Sequence, residues 1–502
     1  MSLPLSELVR GLPVRAVELA GTAAERPADP EVTGVEVDSR RVEPGFLFVA
    51  VPGARADGRD FARQAVEAGA AAVVAAPGPV PEGWPAGVPW LETQDPRALA
   101  GPLAVRAFGH PERELVTVAV TGTNGKSTVA TLMASVLEAA GHPAGMVGTL
   151  GYRFGDERIA AERTTPEAPH LVRLLRRWRD RGAEAVALEA SSHALALSRL
   201  DGLAFDVAIF TNLTQDHFDY HRDAEHYFAA KRHLFDLLKP GGRPVVHLGD
   251  AYGRRLAAEL PEAVTFGVEE GDVRAWDASL SEGGIRGVIE THRGSYEFHT
   301  PLLGRYNLEN VLAVAAAAEA LELPHGAVRQ GLARQAPLPG RLEAVGRGAP
   351  FPVYVDYAHT PGALEAVLAS VAELSGRRII LVFGAGGDRD PGKRAEMGRI
   401  AGSRADLPIL TSDNPRSEDP LAILSMIEEG AREAGNTAYR IVPDRREAIH
   451  RAVAVAGPDH VVLVTGKGHE EVQEIGDRTI PFSDREEIEK ALEERFGETA
   501  RG

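Results

Sequence analysis

Short apolar runs of strand length, each followed by a longer segment with helical spacing, recur through most of this chain. Val116–Val120, Glu184–Ala190 and Phe205–Phe210 are near-continuous apolar stretches, the pattern of strands buried on both faces of a parallel sheet. In the stretch VTVAVTGTNGKST, residues 116–128, the first of these runs meets a glycine-rich loop, and a helical pattern begins at Val129. Upstream, two strand-like runs flank the turn chemistry of Glu43–Pro44–Gly45, and DGRDFARQAVEAGAAAVVA reads as a helix running into a strand. Pro77–Pro89 reads as a surface loop, and Asp95–Phe108 as a helix. Downstream, Val353–Asp356, Ile379–Phe383, Pro408–Thr411 and Val461–Thr465 are strands with helices between them, and the charged tail from Asp484 reads as a solvated helix. The pattern predicts an α/β fold of three domains. These are a small α/β domain at 1–107, a central P-loop domain with a parallel sheet at 108–339, and a doubly wound, Rossmann-like domain at 340–502. Pro337–Gly340 breaks the chain, and Gly340–Arg341 reads as a hinge.

The length of 502 residues agrees with three domains at ~150 residues each. A net charge of −17 argues against nucleic acid or an anionic membrane as partner. No apolar run approaches the ~18 residues of a membrane span, and the first residues lack the basic-then-apolar order of a secretory signal. A cytoplasmic monomer is expected. The absence of cysteine excludes disulfides, thiolate metal sites and thiol nucleophiles. Among 55 Lys and Arg only six are Lys, namely Lys126, Lys231, Lys239, Lys393, Lys467 and Lys490, and four of them lie in glycine-rich or charge-dense motifs. Arginine cannot supply a neutral amine or a compact point donor, so these positions are candidates for chemistry.

The loop Gly122–Thr123–Asn124–Gly125–Lys126–Ser127–Thr128 has the strand–loop–helix setting in which backbone N–H groups cradle phosphate. There Lys126 would reach the outer phosphates, and Ser127 or Thr128 would ligate Mg²⁺. Val120 stands where the strict motif has its first glycine. Ligands gather beyond the carboxyl ends of parallel strands, which places Glu189 and His217 to face the phosphates and hold a metal. Lys231 sits among Tyr227, Phe228, Leu234 and Phe235, where desolvation would free its amine to add CO₂. On the residues alone, a lysine snorkelling to the surface is the expected state. Asn307 and Asn310 suit either a purine edge or helix capping, and Val37–Arg40 either an anion or an ordinary capped turn. Four strand ends of the last domain carry charged groups, at Asp356–Pro361, Gly384–Asp390, Asp413–Arg416 and Gly466–Glu470. Together they describe a polar pocket suited to a zwitterion.

TGTNGKST, EASSHAL, TNLTQDHFDYH, YFAAKRHLF, GRYNLEN, DYAHTP, GAGGDRDPGKR, DNPR and GKGHE occur in the order and spacing of the Mur ligases. The chain resembles the branch of that family that adds the third residue of the peptidoglycan stem peptide. The resemblance implies ATP and Mg²⁺ as cofactors, with UDP-N-acetylmuramoyl-dipeptide and a diamino acid as substrates. It implies an acyl phosphate on the D-Glu γ-carboxylate, attacked by the incoming amine. By the same resemblance Lys126, Glu189, His217 and carbamylated Lys231 are catalytic, and Asn310, Arg341 and Asp356 join the loop around ATP. Ser39, Thr164, Thr165, Ser191 and Arg199 would bind the UDP-muramoyl-dipeptide. Arg389, Asp413, Asn414, Arg416, Gly466 and Glu470 would bind meso-2,6-diaminopimelate, with L-lysine or L-ornithine as alternatives. A sister ligase such as folylpolyglutamate synthetase and a non-enzymatic scaffold are the other readings. Leu197 and Gly249 depart from the residues expected there, a Gln and the first Asp of an Asp-Asp turn.

Overall fold

The computed structural model describes residues 2–17, 29–53, 56–218, 220–346 and 348–497. At its centre is an eight-stranded sheet in the order Glu157–Ile159, Gly151–Phe154, Ala144–Gly148, Ala185–Glu189, Val116–Thr121, Phe205–Phe210, Leu238–His247, Val264–Phe266. The strands from Ala144–Gly148 to Val264–Phe266 are parallel, and the two at the first edge are antiparallel additions. Side chains alternate between two apolar cores: Ala119, Leu188 and Phe210 face one, and Val118, Ala187 and Ile209 the other. That burial on both faces explains why these strands read as unbroken apolar runs.

The first sheet has five strands in the order Arg15–Ala16, Trp90–Glu92, Ala72–Ala75, Phe46–Ala50, Gly34–Glu36. The helix Pro96–Ala107 begins at Asp95, whose carboxylate accepts from the Ala98 N–H, and has Pro96 in its first turn. This helix lies between the first sheet and the central one. Val35 and Leu47 of the first sheet, Leu103 of the helix and Leu188 of the central sheet belong to one continuous core.

The third sheet has the order Glu343–Val345, Val353–Asp356, His460–Thr465, Arg378–Phe383, Leu407–Leu410, Arg440–Ile441 and is parallel apart from its first edge. It carries separate cores on its two faces.

Several expectations change. The phosphate-loop helix starts at Lys126, not Val129, because Gly125 at φ +88° turns the chain directly into the first turn. The Asp484–Phe496 helix is not solvated: Ile488 and Leu492 are core residues, and Asp484 forms a 2.7 Å ion pair with Arg445 in which both side chains are fully buried. The chain also adds an antiparallel three-stranded sheet, Arg274–Ser281, Gly284–Thr291 and Gly294–Thr300, and a hairpin, Val472–Ile475 with Arg478–Pro481. Neither belongs to the α/β alternation. Among the described residues no helix is long and apolar enough to cross a membrane.

Candidate active site

Register sets the site. Glu189 pairs with Val120 and Phe210 with Thr121, so three neighbouring strands end level and their loops open on one edge. A Cβ on Gly122 would lie 1.9 Å from Thr211 Oγ1, and one on Gly125 would lie 2.3 Å from Asn310 Oδ1. The turn therefore closes only with glycine at both positions. Beyond it the first-turn N–H groups of Lys126–Ala139 lack intrahelical partners, the standard anion site of a helix start. Lys126 Nζ donates to the carbonyls of Gly122 (3.0 Å) and Thr123 (2.8 Å). Lys231 Nζ donates to the same Gly122 carbonyl at 2.7 Å and stands 4.2 Å over the Tyr227 ring. Lys231 is only 1% exposed, which corrects the snorkelling expectation. Burial, helped by the Lys126 charge, pushes the Lys231 amine well below its ordinary range, and burial also lowers Lys126.

A cavity of about 420 Å³ gathers residues 123–128, Thr164, Glu189, Ser191, His217, Lys231, Asn310, Arg341 and Asp356. Glu189 accepts from the Thr149 N–H (2.8 Å) and hydroxyl (3.1 Å). The Thr165 hydroxyl donates to the Glu189 carbonyl (2.6 Å), the Ser191 N–H donates to Thr165 Oγ1 (3.1 Å), and the Thr164 and Thr149 hydroxyls are 3.1 Å apart. Arg199 Nη1 reaches the Thr165 carbonyl at 3.3 Å. Four of the five residues expected to bind the muramoyl-dipeptide, Thr164, Thr165, Ser191 and Arg199, thus form one network around Glu189. Ser39 stands outside it and donates to Gln64 Oε1 at 2.9 Å. Two residues on, Arg41 links the first unit to the central one through His170 (3.0 Å) and Glu162 (2.5 Å). Burial pulls His217 down to about 3, with His193 edge-on at 4.8 Å adding to the effect. A neutral imidazole results, the form that ligates metal. Burial works against ionisation of Asp216, but the basic groups around it, among them Lys393 and Lys126, hold its carboxyl below the usual range. Among the described residues no three His, Asp or Glu side chains close around a metal-sized point. Glu189, His217 and Lys231 all line the same cavity.

Across the cavity, Arg341 Nη2 donates to Ser127 Oγ at 3.2 Å and its guanidinium lies 4.9 Å from the Tyr357 ring centroid. Asp356 accepts from the N–H groups of Leu342 (2.7 Å) and Ala358 (2.8 Å) and from the Tyr306 hydroxyl (3.1 Å), while burial raises its carboxyl. Asn307 is structural, donating to the Leu303 carbonyl at 2.7 Å, and its Oδ1 accepts from Asn310 Nδ2 at 2.9 Å. At the edge of the third sheet Arg416, at φ +49°, donates through Nε to Glu474 (2.7 Å) and through Nη1 to the Gly387 carbonyl (2.7 Å). Asn414 Nδ2 donates to Glu470 Oε2 at 2.9 Å. A Cβ on Gly466 would lie 2.3 Å from Asp413 Oδ2, and one on Gly386 would touch both Arg416 and Arg389. The six residues expected at the amino-acid pocket are therefore neighbours.

Three segments match Mur ligase families: residues 31–107 the Mur ligase family catalytic domain, 120–318 the Mur ligase middle domain, and 340–468 the Mur ligase glutamate ligase domain. The UDP-N-acetylmuramoyl-L-alanyl-D-glutamate–2,6-diaminopimelate ligase of Geobacter metallireducens is 45% identical over 487 residues, 92% of this chain and 94% of that protein. The chain belongs to the Mur ligase family. The enzyme of the same name from Streptomyces coelicolor is 43% identical over 504 residues, 98% of this chain and 97% of that one. A solved structure of a ligase of that name superimposes with a TM-score of 0.68 at 32% identity, covering 99% of each chain. Folylpolyglutamate synthase of Mycobacterium tuberculosis, at 20% identity and a TM-score of 0.60, shares the fold. This Mur ligase is an ATP-dependent amino-acid ligase of peptidoglycan synthesis.

Two neighbours of the six pocket residues were not among those expected to bind the amino acid, although one of them, Lys467, lies within the GKGHE motif. Lys467, fully buried, donates to Asn414 Oδ1 (2.9 Å) and Glu470 Oε2 (3.0 Å); its rarity as a lysine was the available signal. Glu474 pairs with Arg416 only because the hairpin folds back over the 413–416 loop, and no local pattern announces that. Of the two departures, Leu197 follows the short helix Ser192–Ala196 as its C-cap, and Gly249 lines the cavity beside Asp250.

Proposed function

We propose that this Mur ligase joins meso-2,6-diaminopimelate to the γ-carboxylate of the D-Glu of UDP-N-acetylmuramoyl-L-Ala-D-Glu. The observation that carries the reading is the charge arrangement at the third-sheet edge. Arg416 has Nε and Nη1 held by Glu474 and Gly387, leaving Nη2 without a protein partner among the described residues, and Glu470 lies beyond Asn414. A guanidinium facing outward suits a distal carboxylate, and Glu470 suits an ammonium. L-lysine and L-ornithine have no distal carboxylate to offer and would leave Arg416 Nη2 without an acceptor. The names of the relatives point the same way.

In this reading Lys126 and the first-turn N–H groups hold the triphosphate, and Arg341 adds a cation from the third unit. The γ-carboxylate, oriented by the Thr164–Thr165–Ser191–Arg199 network, attacks the γ-phosphorus, and ADP leaves with the bridging oxygen. The amine then attacks the acyl carbon, loses a proton, and phosphate departs as the amide forms. Proximity and charge neutralisation supply most of the rate in such transfers. Ser127, Thr128, Glu189, His217 and Lys231 as its carbamate would hold Mg²⁺, which when bound neutralises phosphate charge. The donor set fits: a neutral imidazole, a carboxylate, hydroxyls, and a desolvated amine able to take up CO₂.

The test is phosphate release with ATP, UDP-muramoyl-dipeptide and one of meso-diaminopimelate, L-lysine or L-ornithine. Strong stimulation by diaminopimelate alone is expected, with the diaminopimelate-to-lysine ratio of kcat/KM falling at least about tenfold in Arg416→Lys. Equal stimulation by lysine would sink the amino-acid assignment.

A further inference from the structure

We infer that the hairpin of Val472–Ile475 and Arg478–Pro481 tunes which amino acid this chain accepts, with Glu474 as the positioning residue that aims Arg416. The inference deepens the proposed amino-acid pocket and rests on that reading for the pocket's occupant. The segment that matches the glutamate ligase domain ends at residue 468, so the hairpin lies beyond it.

Residues 413–416 do not hold their shape alone. Arg416 sits at φ +49°, a left-handed conformation that a residue with a Cβ adopts only when its surroundings impose it. Neighbours impose it from two sides. On one, the Gly387 N–H donates to the Asn414 carbonyl at 2.8 Å, and a Cβ on Gly387 would collide with the Pro415 carbonyl oxygen. On the other, the hairpin follows the loop along its length. Gln473 Nε2 donates to the Asp413 carbonyl (2.7 Å), and the Glu474 N–H donates to Asn414 Oδ1 (3.0 Å). The Arg416 N–H donates to the Glu474 carbonyl (3.1 Å), and the Gly476 N–H to the Arg416 carbonyl (2.7 Å).

Glu474 acts on both ends of the pocket. Its N–H fixes the sense of the Asn414 amide: Oδ1 also accepts from Lys467, and Nδ2 is left to donate to Glu470. Its carboxylate accepts from Arg416 Nε at 2.7 Å, while the Gly387 carbonyl accepts from Nη1 at 2.7 Å. Two bonds to a planar fork fix its plane, so Nη2 keeps one direction. A distal carboxylate then meets a donor already in place, and little side-chain freedom is lost on binding. The pair is not buried, with the Arg416 side chain 25% and the Glu474 side chain 43% exposed. Solvent therefore screens its attraction, and its contribution is aim and not charge.

Steady-state phosphate release by the full chain, with ATP, UDP-muramoyl-dipeptide and either diaminopimelate or L-lysine, tests this. In Glu474→Ala, KM for diaminopimelate should rise about tenfold, while kcat and KM for ATP stay within about twofold. The kcat/KM for lysine, which has no distal carboxylate to meet, should change less than about twofold, so the preference narrows. Glu474→Gln, which keeps an oxygen to accept from Nε, should recover most of the loss. An unchanged KM for diaminopimelate in Glu474→Ala, or an equal rise in KM for ATP, would overturn the assignment. A fall in KM would overturn it too, by making Glu474 a competitor for Arg416. So would a loss in Glu474→Gln as large as in Glu474→Ala, since the charge itself would then be the contact. Equal use of lysine by the native chain would remove the diaminopimelate reading and this inference with it. A native preference that Glu474→Ala leaves unmoved would remove this inference alone.

Discussion

Lys231 owes its chemistry to burial. Its amine is walled in beside a second lysine, and both face one carbonyl oxygen, an arrangement that favours the neutral form. If the amine serves as a carbamate, Lys231→Ala should lose nearly all turnover and recover part of it when a short carboxylate such as acetate is added at high concentration. Steady-state phosphate release checks this, and absence of rescue at any concentration would remove the carbamate role. The residue scale was also where reading from sequence succeeded most unevenly. Gly122, Gly125, Lys126 and Glu189 announce themselves through strand–loop context. Lys231 does not, because its apolar neighbours in sequence are compatible with either face of a helix. Asn307 and Asn310 look alike in the chain, yet one is fully buried and bonded to Leu303 while the other borders the cavity.

Elements were legible where local pattern and burial agree. The strands Val353–Asp356 and Phe205–Phe210 follow directly from their apolar runs, and the Pro96–Ala107 helix from Asp95 and Pro96. The antiparallel sheet from Arg274 to Thr300 alternates polar and apolar positions, but its strands are half exposed and broke no expected helix, so nothing in an α/β reading demanded it. The Asp484–Phe496 helix misled for the opposite reason. Its composition is charged, yet Asp484 and Glu487 are buried against Arg445 and the preceding helix. Replacing one partner of a buried pair leaves the other charge stranded, so Asp484→Asn should cost about 3–5 kcal/mol. Urea unfolding followed by circular dichroism measures it, and a midpoint unchanged from the native chain would contradict the structural role given to the pair.

For the whole molecule, the division of the core matters more than the number of sheets. The first sheet, the helix Pro96–Ala107 and one face of the central sheet share a single apolar cluster, whereas the third sheet keeps both its clusters nearly to itself. A fragment of residues 340–497 is therefore expected to unfold cooperatively on heating, and a fragment of residues 1–107 is not, because much of its core surface would face water. Scanning calorimetry of the two fragments distinguishes the cases; cooperative unfolding of the first-unit fragment would refute the shared core. A three-part α/β organisation was legible from alternation and from the break at Pro337–Gly340. The fusion of two of the parts through a helix was not, because apolar residues do not reveal which sheet they will cover.

The turn at Gly340 and the contact of Arg341 with Ser127 are adjacent in the chain. The Gly340 carbonyl accepts from Tyr357, at the start of the third sheet's first loop, while the next residue reaches the phosphate loop. Any rotation of the third unit about that turn therefore also withdraws a cation from the neighbourhood of Ser127. The molecule contains an interlock: the charge available to the phosphates and the seating of the unit that carries the amino-acid pocket vary together, so a nucleotide in a molecule standing open meets a weaker field than one in a molecule standing shut.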